Sequence, residues 1–194
     1  MKNIVVFASG SGTNFQAIID AVEAGQIDAR ISGLLASKPG IGALERARKH
    51  NINTQVLRPS DFDDSSAYEA TLLNMLDEWQ PNLIVLAGYM LKVPNSVLDR
   101  YENKIINIHP SLLPKYGGKG FYGSKVHEAV IANDEEESGC TVHYVTEIYD
   151  DGPIIDQIKV PVRDTDDPET LATRVLEQEH KLLPRVIAKL VNNQ

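Results

Sequence analysis

The run Lys104-Ile105-Ile106-Asn107-Ile108-His109-Pro110-Ser111-Leu112-Leu113-Pro114 decides how this chain is read. Its apolar start reads as the end of a strand. Residues two apart on a strand share a face, so Asn107 and His109 point together. An amide that can donate to a developing oxyanion then stands beside a ring that titrates near neutral pH. Pro110 cannot continue a central strand and ends it. Both side chains therefore sit at a strand's carboxyl end, where open α/β sheets place their active sites. A histidine at a strand end is also a common structural residue. The Asn two before it, and the stiff Pro-Ser-Leu-Leu-Pro after it, favour a fixed loop holding a site.

On either side of this run, strand-like apolar stretches alternate with helical patterns, which predicts βαβ units on a largely parallel sheet. The expected strands are Ile4–Ala8, Ile31–Ala36, Thr54–Leu57, Leu83–Ala87 and Ile105–Ile108. The expected helices are Asn14–Ala24, Gly42–His50, Ser65–Trp79 and Asn95–Tyr101. A Gly- and Lys-rich loop, Pro114–Gly123, follows, and Ser124 is placed to cap a helix through Ala132. After the acidic run Asp134–Glu137, read as a solvated turn, Thr141–Thr146 and Ile154–Val162 are two further strands that can pair antiparallel. Asp150-Asp151-Gly152-Pro153 is a turn signal between them. Asp166-Asp167-Pro168-Glu169 opens a final helix.

The 194 residues fit one domain, and 42% apolar with 24% charged content is ordinary for a globular chain. A net charge of -8 argues against a broad nucleic-acid or anionic-membrane surface while leaving room for a local phosphate pocket. The single Cys140 rules out an intrachain disulfide and a cysteine zinc cluster, and fits a cytoplasmic location. As a nucleophile it is a weaker reading than a small buried strand residue. The opening Ile4-Val5-Val6-Phe7 is too short for a signal peptide or membrane span.

Ser9-Gly10-Ser11-Gly12-Thr13-Asn14 joins the first strand to the first helix. Small residues let a backbone approach an anion, helix-start N–H groups stabilise it, and Thr13 and Asn14 can add side-chain donors. The alternative is a plain strand-to-helix turn. The third glycine of a dinucleotide fingerprint would fall on Phe15, and no Gly-Lys-Ser/Thr of a Walker loop is present. Asp150 or Asp151, if brought to His109, would orient the imidazole and raise its pKa; on local sequence alone they are a solvated turn. Glu177-x-x-His180 matches half of a di-metal carboxylate motif, without a second copy. Lys115, Lys119 and Lys125 can attract an anion or form an exposed loop.

Taken together, these residues resemble the 10-formyltetrahydrofolate-dependent formyltransferases over nearly the whole chain. The resemblance runs through Ser9–Asn14, Leu86-Ala87-Gly88-Tyr89-Met90, Asn107–Pro114, Thr141-Val142-His143-Tyr144-Val145-Thr146, Asp150-Asp151-Gly152-Pro153 and Gln178-Glu179-His180. It implies a three-layer, Rossmann-like α/β fold with a mostly parallel twisted sheet, a C-terminal antiparallel strand pair and a terminal helix. It implies one domain, 1–194, with a nucleotide-phosphate half, 1–100, and a catalytic and folate half, 101–194. It assigns catalysis to Asn107, His109 and Asp150. The substrate's phosphate and ribose fall to Gly12, Thr13, Asn14 and Glu179. The folate pocket falls to Met90, Leu91, Lys92, Val93, Asn107, Thr146, Glu147, Ile148, Tyr149 and Asp150, largely through backbone groups. No metal is implied.

The glycine loop and short length point to the branch that formylates glycinamide ribonucleotide in purine synthesis. Its expected partners are that nucleotide and 10-formyltetrahydrofolate, with no nucleic acid or membrane, in a monomer or homodimer. The chain departs from some bacterial members in three places: Leu91 and Ser65 stand where an arginine is common, and Tyr116–Gly123 replaces a Pro-Gly-containing loop. Formyltetrahydrofolate hydrolases share the three residue types but carry an N-terminal regulatory domain. Methionyl-tRNA formyltransferases carry a C-terminal tRNA-binding domain. A non-catalytic nucleotide- or folate-binding module is the reading from a different class.

Overall fold

The computed structural model describes residues 1–192. Strands β1 (Lys2–Ala8), β2 (Ala29–Ala36), β3 (Thr54–Val56), β4 (Leu83–Leu86), β5 (Ile105–His109), β6 (Glu137–Tyr144) and β7 (Ile154–Pro161) form one sheet, ordered β3-β2-β1-β4-β5-β6-β7. The first five run parallel. β6 is antiparallel to both β5 and β7. Helices α1 (Thr13–Glu23), α2 (Gly42–Lys49), α3 (Ser65–Trp79), α4 (Asn95–Arg100), α5 (Ser124–Ala132) and α6 (Pro168–Asn192) cover the two faces.

The period-2 pattern of the strands splits the core into two layers. Ile4, Val6, Leu34, Val85 and Ile106 pack on one face, with Phe15 and Ile18 of α1 and Leu183 and Ile187 of α6. Val5, Phe7, Leu35, Ile84 and Ile105 pack on the other, with Leu72 and Leu76 of α3 and Val97 of α4. Both faces being covered explains why the central strands β1 and β4 carry unbroken apolar runs, Ile4–Ala8 and Leu83–Leu86, rather than alternating. Gly33 is a notch for α3: a Cβ there would lie 2.4 Å from the Trp79 ring. α6 is started by Asp167, whose Oδ1 accepts from the Thr170 N–H at 2.8 Å while Thr170 Oγ1 accepts from the Asp167 N–H at 2.9 Å.

Three expectations are corrected. Asp134–Glu137 is not simply a solvated turn: Glu137 opens β6 and pairs with Lys159 across to β7 at 2.7 Å, and Glu135 holds Lys115 and the Tyr116 hydroxyl. β6 accordingly begins and ends earlier than Thr141–Thr146. Ser124 does not cap α5; Gly123 occupies that position and makes no side-chain bond.

The order of the strands reverses between β1 and β4, and this switch point fixes where the chain opens for a ligand. The loops after β1 and β4 part there. They remain stitched at the base: Ser9 N–H donates to Gly88 O at 3.1 Å, and Ser9 Oγ accepts from Met90 N–H at 2.9 Å.

Candidate active site

A cavity of about 670 Å³ opens at the carboxyl ends of β1, β4 and β5. Its walls are the glycine loop Gly10–Asn14, the segment Leu86–Val93, Asn107–Pro110, the loop Gly118–Ser124 and the segment Val145–Asp150, closed from behind by Glu179 on α6. The residues that the resemblance assigns to catalysis and to the two ligands all line this one space: Gly12, Thr13, Asn14 and Glu179; Met90, Leu91, Lys92 and Val93; Asn107 and His109; and Thr146 through Asp150.

The glycine loop is shaped by contact as well as by freedom. Gly12 has φ 74° and ends the turn into α1. A Cβ there would sit 2.7 Å from the Ala43 Cα, so α2 presses directly against the loop. Arg46 Nε donates to the Ser11 carbonyl at 2.9 Å from behind. The first N–H groups of α1 have no partner within the helix and are presented to the cavity. One Asn14 donor is committed: its Nδ2 donates to Glu179 Oε2 at 2.6 Å. Burial pushes the Glu179 carboxyl up to about 7, against the opposing pull of Asn14.

Asn107 and His109 project together from β5, as strand geometry requires. His109 is 5% exposed. Its Nε2 lies 2.8 Å from the Tyr116 carbonyl, which can only accept, so Nε2 carries a hydrogen. Nδ1 then faces Asp150 Oδ1 at 3.5 Å. Asp150 is far from the solvated turn residue that local sequence suggests. It has φ 56°, is largely buried, and its Oδ2 accepts from Gly118 N–H at 2.9 Å.

The expected rise in the His109 pKa is not found. Burial lowers it, and Asp150 and the Tyr116 carbonyl oppose without winning. Burial also works to raise Asp150, but His143, His109 and the Gly118 N–H together outweigh it, and the carboxyl titrates below its ordinary value. With Nε2 committed to the Tyr116 carbonyl, Nδ1 is the ring nitrogen that faces the carboxylate and is open to a proton.

His143, given no role from the sequence, completes the cluster. It pairs with Asn107 in the β5–β6 register. Its Nδ1 donates to the Tyr144 carbonyl at 2.8 Å, and its Nε2 lies 3.1 Å from Asn107 Nδ2 and 3.5 Å from Asp150 Oδ1. Only the antiparallel register reveals this contact, and the sequence does not carry that register. His127 of α5 is a second such residue, buried in the cavity wall with Nδ1 unpartnered.

The other candidates fall elsewhere. Cys140 is fully buried in β6, and burial pushes its thiol up to about 12, which removes it as a nucleophile. Among the described residues no three His, Cys, Asp or Glu side chains gather as a metal-ligand set. No described helix is long and apolar enough to cross a membrane. Ser65 is exposed at the start of α3 and does not line the cavity; Leu91 does. Of the loop lysines, Lys115 is taken by Glu135 and Lys125 by the Tyr122 hydroxyl, while Lys119 faces the cavity.

Comparison with known proteins shows what the chain as a whole is similar to. The phosphoribosylglycinamide formyltransferase of Escherichia coli is 41% identical over 186 residues, covering 96% of this chain and 85% of that protein. The crystal structure of glycinamide ribonucleotide transformylase 1 from Symbiobacterium toebii superposes with a TM-score of 0.93 at 36% identity, over 100% of this chain and 89% of that one. A formyltetrahydrofolate deformylase from Pseudomonas syringae is more distant, at 25% identity and a TM-score of 0.88, and this chain spans 62% of it. The profile of the formyl transferase family matches residues 2–187, nearly the whole chain. The chain belongs to the formyl transferase family.

Proposed function

We propose that this chain transfers the formyl group of 10-formyltetrahydrofolate to the primary amine of glycinamide ribonucleotide, giving formylglycinamide ribonucleotide and tetrahydrofolate. One observation carries the proposal. Asn107, His109 and Asp150 converge on a cavity that has a glycine loop at one end and the Met90–Val93 and Thr146–Asp150 segments at the other. That is room for an anionic nucleotide and a flat heterocycle meeting at one amide–imidazole–carboxylate cluster.

The phosphate sits on the N–H groups of Gly12, Thr13 and Asn14 at the start of α1. Glu179 takes the ribose hydroxyls. The folate lies against Met90, Leu91, Lys92 and Val93, and against Thr146, Glu147, Ile148, Tyr149 and Asp150. The phosphate groups then come from 1–100 and the catalytic groups from 101–194, while Met90–Val93 of the first half reach the folate and Glu179 of the second reaches the ribose. A cytoplasmic, monomeric or homodimeric enzyme belongs to the same reading.

The amine attacks the formyl carbon, and the carbonyl electrons move to oxygen. Asn107 Nδ2–H, held in place by His143, donates to that oxygen. The proton leaving the amine passes through water to the His109–Asp150 pair and lands on Nδ1. The ring becomes a cation beside the oxyanion as the charge forms. As the carbonyl re-forms, the bond to folate N10 breaks and N10 takes that proton. Neither a metal nor a covalent enzyme intermediate enters these steps.

The test is tetrahydrofolate release by the purified protein with and without the nucleotide. Release that requires the nucleotide and is lost in His109→Ala supports the transfer reading. Equal release without it identifies a hydrolase. Tight binding of both ligands with no turnover identifies a binding module.

A further inference from the structure

A second groove of about 700 Å³ lies behind the glycine loop, between α1 and α6, and the proposed reaction does not use it. Its wall carries Arg46 of α2 and His180, Lys181 and Arg185 of α6, against a single carboxylate, Asp20 of α1. Arg185 is shared with Asp156 outside the groove wall, which leaves Arg46 and Lys181 as cations facing Asp20, an excess of positive charge on a chain whose net charge is -8. His180 Nε2 is buried with no hydrogen-bond partner, a group that calls for a ligand or solvent atom. The existing bonds leave donors free. Arg46 uses Nε on Ser11 O and Nη1 on Gln16 Oε1, and Arg185 uses Nη2 on Asp156 at 2.9 Å.

We propose that this groove is a second anion site, for a small phosphate- or carboxylate-bearing dianion, separate from the catalytic cavity. The Arg46 guanidinium, His180 Nε2, Lys181 and Arg185 supply its donors. The site is coupled to the cavity through shared structure. Thr13 lines both spaces, Glu179 and His180 are neighbours that line one each, and Arg46 holds the Ser11 carbonyl of the glycine loop. An anion that draws Arg46 away releases that carbonyl and loosens the loop proposed to receive the nucleotide phosphate. The coupling, unlike the binding, rests on the proposed function.

The experiment uses the full chain labelled with ¹⁵N-histidine, whose five histidine rings are few enough to follow singly. Inorganic pyrophosphate is the probe, and His180→Gln identifies the His180 signal. Titration is done alone and with glycinamide ribonucleotide. The expected result is a saturable movement of the His180 ring in both titrations. In the double variant Lys181→Ala/Arg185→Ala its midpoint is expected roughly tenfold higher. No movement of His180, or a movement unchanged in the double variant, overturns the site. The coupling is read separately: pyrophosphate raises KM for the nucleotide more in wild type than in the double variant. An equal rise in both removes the coupling and leaves the binding result standing.

Discussion

His143 Nε2 lies 3.1 Å from Asn107 Nδ2, while His143 Nδ1 is committed to the Tyr144 carbonyl at 2.8 Å. The two bonds fix which way the Asn107 amide faces: its nitrogen, not its oxygen, meets the ring, and one N–H remains for the cavity. Asn107→Ala is expected to lower kcat by about 10²–10³-fold, the cost of one oxyanion donor. His143→Ala leaves the donor present but unaimed and is expected to cost about 10–100-fold in kcat with a small change in KM. Steady-state kinetics on the two variants, with circular dichroism to confirm folding, decides this. A His143→Ala enzyme of wild-type kcat would show that the amide needs no support.

The His109–Asp150 pair predicts a titration. Burial lowers the ring's pKa, and Asp150 partly offsets that fall. In the unliganded protein the His109 ring should therefore titrate below 6.5, and in Asp150→Asn it should titrate lower still. The same variant removes the carboxylate that stabilises the transferred proton on His109 Nδ1 and should lose about 10²–10⁴-fold in kcat. Histidine-ring NMR and kinetics measure the two effects. A wild-type midpoint above the ordinary histidine value contradicts this electrostatic account.

Glu179 gives a stability prediction with a defined sign. Its folded pKa, about 7, is raised above the ordinary 4.5. Its contribution is thus fully present below pH 4.5 and is lost as pH rises through about 7. Glu179→Gln carries no buried charge and can still accept from Asn14. It should match wild type near pH 4 and exceed it in denaturant midpoint at pH 8, while binding the nucleotide more weakly. Parallel denaturation curves at the two pH values test this. A variant less stable than wild type at pH 8 would mean that the carboxylate is well accommodated.

Gly12→Ala should damage both fold and binding. A side chain at φ 74°, with its Cβ 2.7 Å from the Ala43 backbone, must displace the loop or α2. A destabilisation of about 1–3 kcal/mol is expected, together with a rise in KM for the nucleotide that exceeds any change for the folate. Gly10→Ala, where a Cβ meets nothing within 4 Å, is the control.

Much of this architecture is legible in the chain because its signals are local. The alternation of apolar strands and amphipathic helices gives the parallel half of the sheet. The Asn-x-His-Pro spacing places two side chains on one face by the period of a strand alone. Glu137 escapes because a charged residue opening a strand is stabilised by Lys159, a partner 22 residues away. The depth of Asp150 escapes for the same reason: its partners His109, His143 and the Gly118 N–H come from three separate segments. The lowered pKa of His109 reverses the sequence expectation because burial, a property of the whole packed site, outweighs the charge of one neighbour.

The central claim is that the formyl group goes to an amine and not to water. The most direct measurement follows ¹⁴C from the formyl group of 10-formyltetrahydrofolate in single turnovers with glycinamide ribonucleotide present. The account predicts that the label appears in the nucleotide as a formamide in step with tetrahydrofolate. It also predicts that Asn107→Ala, His109→Ala and Asp150→Asn each slow that appearance. Label released as free formate, in the presence of saturating nucleotide, would contradict it.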